Sequence, residues 1–292
     1  MKNKDETQRI YLKYGRHPEI RAVTTQGGTL ATEKITDRIH EYARKYWPAA
    51  GHVMTDFLDT LKGKISYLKS GITVNWTDEG GVSNETAAEM GGANFYLHKF
   101  KAIIKVSEEV VLDSYFDIEE FLAREFGYGL GKILEKMYIN GQGTDGPTGF
   151  LKNCKKVQAT GAAATYNNIK AVFDNIDTDY LSNSVWLVNK DFFSDLAEAA
   201  DNNGKPIIKL SDNSDYDNIG GFILGRPCYI TLMPEDMPIA LGDFTNYNAV
   251  SKMPVIQRLN EKYANKGIIG YVMSNYIDGK LLIADSVVAL EV

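Results

Sequence analysis

The residues best able to do chemistry are few and scattered. His17, His40, His52 and His98 all fall in the first third of the chain, and no two have the spacing of metal ligands. Each is read as a surface or packing residue. Cys154 and Cys228 are the two cysteines and no Cys-x-x-Cys occurs, so there is no disulfide framework, and both read as free thiols made in a reducing compartment. Asp212, Asp215 and Asp217 cluster without the spacing and glycine of a calcium loop. No G-x-S-x-G elbow and no Walker loop is present. Gly141-Gln-Gly143-Thr-Asp-Gly146 matches the dinucleotide-binding G-x-G-x-x-G as text. Its context is wrong: the cofactor motif follows a strand and opens a helix, whereas this one follows a helix and runs into Pro147. These residues assign no catalytic, cofactor-binding or metal-ligating site. A site assembled from distant segments would leave no local motif, so an enzyme working under a flexible 63–106 loop stays open as an alternative.

Composition narrows the class. A chain of 292 residues with 44% hydrophobic and 24% charged residues has globular values and room for two domains. No apolar run approaches the ~18 residues of a membrane helix, and the first 17 residues lack a signal-peptide core. The net charge of −6 disfavours general nucleic-acid binding, although residues 1–50 hold 10 Lys/Arg against 6 Asp/Glu. Residues 1–26 are polar with little periodicity and read as an arm.

Everything else is organised around residues 107–150. Ile118, Phe121, Leu122, Phe126, Leu130, Ile133, Leu134 and Met137 follow the three-and-four spacing of an amphipathic helix. Asp117 with Glu120 predicts a capping-box start, and Asn140-Gly141 a stop through left-handed backbone. The helix would span roughly 34 Å. Gly127, Gly129 and Gly131 sit in its middle; they mark a candidate bend, or a close approach by another backbone.

Upstream, a helix along Ile35, Ile39, Tyr42 and Tyr46 is capped by Thr32 and ended by Pro48. Residues 63–106 read as a long two-stranded excursion, with Ile72, Val74 and Trp76 alternating in one strand and Phe100, Ala102, Ile104 and Val106 in the other. The polar, acidic stretch between them has no apolar face, so a hairpin of this kind needs a partner outside its own subunit. Residues 155–250 alternate helices (166–176, 190–204) with strands (184–189, 219–224, 228–232), an α/β texture with a turn at 225–227. Residues 251–292 are strand-rich, with Asp278-Gly279 predicted as a tight turn.

The order of these blocks resembles the major capsid proteins of tailed bacteriophages, with the Hong Kong 97-type fold. The resemblance rests on Asn140, Gly141, Gly143, Thr144, Pro147, Thr148 and Gly149 after the helix, on the Gly27-Gly28 entry, on the 184–189 strand followed by a helix and Leu224-Gly225-Arg226-Pro227, and on Gly242-Asp243-Phe244. It covers residues 27–292. It implies an α+β fold: a long spine helix on an antiparallel sheet, an extended β-hairpin loop and a compact α/β axial domain. The implied division is an arm (1–26), a peripheral domain (27–62, 100–154 and 251–292), the hairpin (63–99) and the axial domain (155–250). The implied function is a structural subunit, not an enzyme, that self-assembles through pentamers and hexamers into an icosahedral shell enclosing DNA. A scaffolding protein and a portal are further partners, with no membrane and no cofactor. Synthesis would be in the bacterial host cytoplasm and the destination the virion. The hairpin of this family lies across a neighbouring subunit, which makes Trp76, Glu79, Glu85, Glu89 and Phe95 candidate inter-subunit contacts. Some members crosslink through a Lys–Asn isopeptide bond; no lysine lies between Ser70 and His98, so none is expected, although Asn265 occupies the right region. An encapsulin-like nanocompartment holding cargo enzymes is the alternative.

Overall fold

The computed structural model describes residues 33–70, 89–112, 117–200, 204–210, 219–259 and 261–292. The arm, the Gly27-Gly28 entry, Thr32, the strand expected at 72–76, Asn203 and the Asp212, Asp215 and Asp217 cluster lie outside them.

The described residues open with α1 (Glu33–Tyr46) and α2 (Pro48–His52). Pro48 does not simply end α1; it stands in the first turn of α2, where a missing N–H costs nothing. β1 (Met54–Phe57) leads into a hairpin of β2 (Lys62–Ser70) and β3 (Glu89–Tyr96). β4 (His98–Ser107) and the short α3 (Glu108–Leu112) precede the spine helix α4 (Ile118–Asn140). Then come α5 (Phe150–Asn153), β5 (Lys155–Gln158), α6 (Tyr166–Asn175), α7 (Thr178–Leu181), β6 (Val185–Asn189) and α8 (Lys190–Glu198). The rest is β7 (Ile208–Leu210), β8 (Ile219–Ile223), β9 (Arg226–Thr231), β10 (Ile239–Gly242), β11 (Tyr247–Ser251), β12 (Val255–Leu259), β13 (Ile268–Leu281) and β14 (Val287–Glu291).

These strands make two sheets and the free hairpin. The wall sheet runs β1-β11-β13-β12 with β4 also on β13; β1 and β11 are parallel, the other pairs antiparallel. The axial sheet runs β5-β14-β10-β6-β9-β8-β7. Leu122, Phe126, Leu130 and Leu134 of the spine helix pack in one core with Ile269, Tyr271 and Met273 of the wall sheet. A second core joins α6 and α8 to the axial sheet through Ile169, Val172, Trp186, Phe192 and Leu196. This is the expected α+β architecture.

Several expectations need correction. The strand over 100–106 does not return the hairpin: β4 pairs along its whole length with β13, from Ile277↔His98 to Ile268↔Ser107, and the hairpin closes at β3. Asp278-Gly279 is no turn. β13 runs through it, because β11 takes up the ladder at Tyr247↔Leu281 through Ser251↔Ile277. Glycine stands there for space: a Cβ on Gly279 would lie 2.6 Å from the Tyr247 hydroxyl. β14 belongs to the axial sheet, between β5 and β10, so the 251–292 segment is shared between the two sheets. β11 conversely leaves the 155–250 segment for the wall. Helix α8 ends at Glu198, before Gly204, and the turn between β8 and β9 is Leu224-Gly225, both at positive φ, with Pro227 inside β9. Ile133 is exposed rather than part of the spine's apolar stripe.

Candidate assembly surfaces

The spine helix starts as its sequence demands. The Asp117 carboxylate accepts the amides of Glu119 and Glu120 at 3.0 Å each, satisfying two donors of the open first turn. The reciprocal half of the capping box is absent. Glu120 instead reaches α1, accepting from Arg38 at 2.8 Å and from the Tyr42 hydroxyl.

At the other end Gly141 is extended (φ −65°, ψ 145°), not left-handed. Its lack of a side chain is what counts, because a Cβ there would strike the Pro147 carbonyl. The Gly-rich turn folds back on the helix end: Gly149 N–H donates to Gly141 O at 2.9 Å, Thr148 N–H to Gly279 O at 2.8 Å, and the Tyr247 hydroxyl to Thr148 O at 2.9 Å. Within the glycine motif the Gly141 N–H donates to Met137 O at 2.8 Å, closing the last turn of the spine rather than opening a helix toward a phosphate. Only Gly143 in this turn uses positive φ (+77°).

The three mid-helix glycines do not share one environment. A Cβ on Gly127 would lie 2.6 Å from Tyr42 Cβ and 2.7 Å from Ile39 O; on Gly131 it would fall on the Trp47 ring and 2.8 Å from Ala43 O. A Cβ on Gly129 would meet nothing within 4 Å. The helix runs unbroken through all three. Gly127 and Gly131 therefore let α1 approach the spine closely, and Gly129 faces open space.

One functional side chain went unrecognised in the sequence. Glu135 of the spine is fully buried. Its carboxylate accepts from Ala49 N–H at 3.2 Å, from Ala50 N–H at 3.0 Å and from the Thr231 hydroxyl. It thereby caps α2, for which Trp47 supplies no side-chain acceptor, and holds β9 of the axial sheet to the wall. Burial raises its pKa, opposed by these three hydrogen bonds. The available signal was spacing: Ala123, Gly127, Gly131 and Glu135 fall every fourth residue, a small-residue row facing α1 that ends in a carboxylate.

The hairpin has two faces. Ile65, Ala93 and the buried Phe95 turn toward Val250, Leu58, Tyr276 and Leu282, a third small core at the hairpin base. Phe95 is thus not an inter-subunit contact but the anchor of the ribbon to its own chain, with the Lys280 ammonium 5.7 Å from its ring centroid. The opposite face presents Lys62, Lys64, Leu68, Met90 and Tyr96; Leu68 and Met90 are cross-strand partners, 47% and 63% exposed. Glu89 is exposed and pairs with Lys69 at 3.4 Å. Trp76, Glu79 and Glu85 lie outside the described residues. Contacts at the base step along β13: Tyr96 N–H donates to Asp278 Oδ2 at 2.9 Å, and Lys280 Nζ to Asn94 O at 2.6 Å. The ribbon therefore moves toward the C-terminal end of β13, while β4 runs toward its N-terminal end.

Among the described residues no group of three or more His, Cys, Asp or Glu side chains is placed to hold a metal ion, and no helix is long and apolar enough to cross a membrane. Half-buried His40 has no hydrogen-bond partner for Nε2 among the described residues, and desolvation together with nearby Arg44 lowers its pKa to about 4. Cys154 and Cys228 are free thiols, and burial pushes the Cys154 pKa up to about 11.

Comparison with known proteins follows the same line. The profile of the phage capsid family matches residues 27–292. The capsid of a native GTA particle is similar at 20% identity and TM-score 0.59, covering 94% of each chain. Mycobacterium phage Adephagia gives 13% identity and TM-score 0.57 over 97% of this chain and 96% of that one. A virus-like particle from Pyrococcus furiosus gives 14% and 0.57 over 89% and 98%. No curated protein sequence matches.

Proposed function

This chain belongs to the phage capsid family, a structural subunit of a capsid shell, and from that premise we propose how it tiles and what the shell holds. The observation that carries the proposal is the hairpin. A two-stranded ribbon projects from the wall sheet with an apolar pair, Leu68 and Met90, on its open face. Isolated hairpins are marginal in water, and exposed apolar pairs on a ribbon gain by burial against another surface. The ribbon of one copy clasps the next, the axial α/β unit meets its copies around the ring axes, and the spine with its sheet forms the wall. Such contacts are heterologous, and their rotation closes rings of five and six. Many modest contacts per subunit then add through multivalency.

The shell encloses DNA of a tailed phage or prophage without sequence-specific binding, and takes a scaffolding protein and a portal as partners. The protein is made in the host cytoplasm and ends in the virion capsid. No enzymatic role is proposed. Gly129, in the middle of the spine where a Cβ would meet nothing within 4 Å, is the one candidate among the three glycines for a bend during shell maturation. The division into arm, peripheral domain, hairpin and axial domain is kept, with β14 moved to the axial unit and β11 to the wall.

Negative-stain microscopy and size-exclusion chromatography of the purified protein test this reading. Closed shells or capsomer rings are expected. A protein that stays monomeric at all salt and protein concentrations, with turnover on a small molecule, would overturn it. A nanocompartment is not favoured, and a cargo-enzyme gene beside this one in place of terminase, portal and tail genes would revive it.

A further inference from the structure

Few groups tie the foot of the ribbon to its own wall sheet, and beside them one buried polar atom has no partner. Asp56 on β1, Asn248 on β11 and Lys280 on β13 form a row across three strands. Asn248 and Lys280 stand directly opposite in the antiparallel register, and Asn248 Nδ2 donates to Asp56 Oδ2 at 2.8 Å. Opposite residues share a face of the sheet, as do residues two apart on one strand. Val250, two beyond Asn248, packs against Phe95, so the row lies on the face that the ribbon covers. Asn248 is 4% exposed, and its Oδ1 accepts no hydrogen bond among the described residues. Turning the amide over is no remedy, because Oδ1 would then meet the Asp56 carboxylate, acceptor against acceptor.

The cationic donor opposite this atom is engaged elsewhere. Lys280 Nζ donates to Asn94 O of the ribbon at 2.6 Å and lies 5.7 Å from the Phe95 ring centroid. Opposite Cβ atoms of an antiparallel pair are about 4.5–5.5 Å apart, a gap that the four-carbon lysine stem spans with no change of backbone. The other ties at this level are the Phe95 ring in its small core and the Tyr96 N–H on Asp278 Oδ2. Below them the Leu97 N–H donates to Leu61 O at 3.0 Å and closes the foot. We infer that Lys280 is a two-position latch. On Asn94 O it holds the ribbon down on its own subunit; on Asn248 Oδ1 it braces β11 to β13 when the ribbon lifts about its Leu61–Leu97 foot. A buried acceptor without a donor burdens the seated state, and lifting relieves it. Seated and lifted ribbons are thereby closer in free energy than the ties at the foot alone would make them. The latch lies within one chain and operates in an isolated subunit, whatever the ribbon meets.

Hydrogen exchange of the purified subunit, read by mass spectrometry on peptides covering residues 89–97, reports how often the ribbon lifts. Removing the unpaired oxygen should keep the ribbon seated: Asn248→Ala is expected to slow exchange in these peptides about fivefold. An Asn248 that only braces the sheet gives the opposite sign, so faster or unchanged exchange overturns the latch. Lys280→Met, which loses the tie to Asn94, should speed exchange about threefold, and unchanged exchange there overturns it as well. In the Lys280→Met background the effect of Asn248→Ala should shrink to about half or less, because the two residues act on one another. An equal effect with and without Lys280 overturns the inference in favour of water as the group that relieves Oδ1. Amides of β6, in the other core, are the reference for intact folding. If Asn248→Ala loses their protection, the Lys280→Met result decides alone.

Discussion

Glu135 Oε2 accepts the Ala50 amide at 3.0 Å, so a carboxylate on the spine helix caps a helix that starts far upstream. With Thr231 as a further donor, one side chain joins α2, the spine and the axial sheet. Replacing Glu135 by Gln puts an NH2 group against a backbone N–H. It should cost about 1–3 kcal/mol in denaturant unfolding, and Glu135→Ala no less.

The pH dependence of that cost has a definite sign. Burial raises the folded pKa of Glu135 above its ordinary 4.5, so the folded state holds this proton more tightly than the unfolded state. The stability contributed by Glu135 therefore falls as pH rises from about 4.5 through the raised value. The gap between wild type and Glu135→Gln should narrow over that interval in melts run at stepped pH.

His40 works in the opposite direction. Its folded pKa, about 4, lies below the ordinary 6.5, so protonation is resisted by the fold. Wild-type stability should fall between pH 6.5 and about 4, by a few kcal/mol at most from this residue. His40→Leu, which also removes the unpaired Nε2, should flatten that limb of the pH profile.

The glycines of the spine should separate cleanly. Gly129→Ala should stabilise the subunit by roughly 1 kcal/mol, through helix propensity alone. Gly127→Ala and Gly131→Ala should destabilise it, by ~2 kcal/mol or more, because the new methyl meets backbone of α1. Gly129→Leu tests the proposed bend: assembly and expansion equal to wild type would deny the residue any special part in maturation.

Purified shells, boiled in detergent, should run as one band at 32.5 kDa. The stretch 70–98 lacks a lysine to form an isopeptide, so a ladder of covalent oligomers would contradict this.

The spine helix, α1 and the alternation of β4 were legible because each buries one face, and burial imprints a period on the sequence. The α+β architecture and the family followed from block order. What stayed hidden was long-range. Asp278-Gly279 has local turn chemistry, yet pairing of β13 with β11 holds it extended, and Tyr247 explains the glycine. Gly141 was read for backbone freedom when its function is clearance from Pro147. Phe95 sits in a ribbon that reads as wholly outward-facing, and only the fold reveals Val250 and Tyr276 beneath it. The capping by Glu135 is likewise long-range, because the amides it accepts come from another part of the chain.

The position of β14 has a consequence for biosynthesis. Val287–Glu291 bridges β5 and β10, so until those residues emerge from the ribosome the axial sheet lacks an interior member and β5 has no neighbour. A polypeptide released before Val287 lacks the one strand that joins β5 to β10 among the described residues, so its axial sheet stays divided.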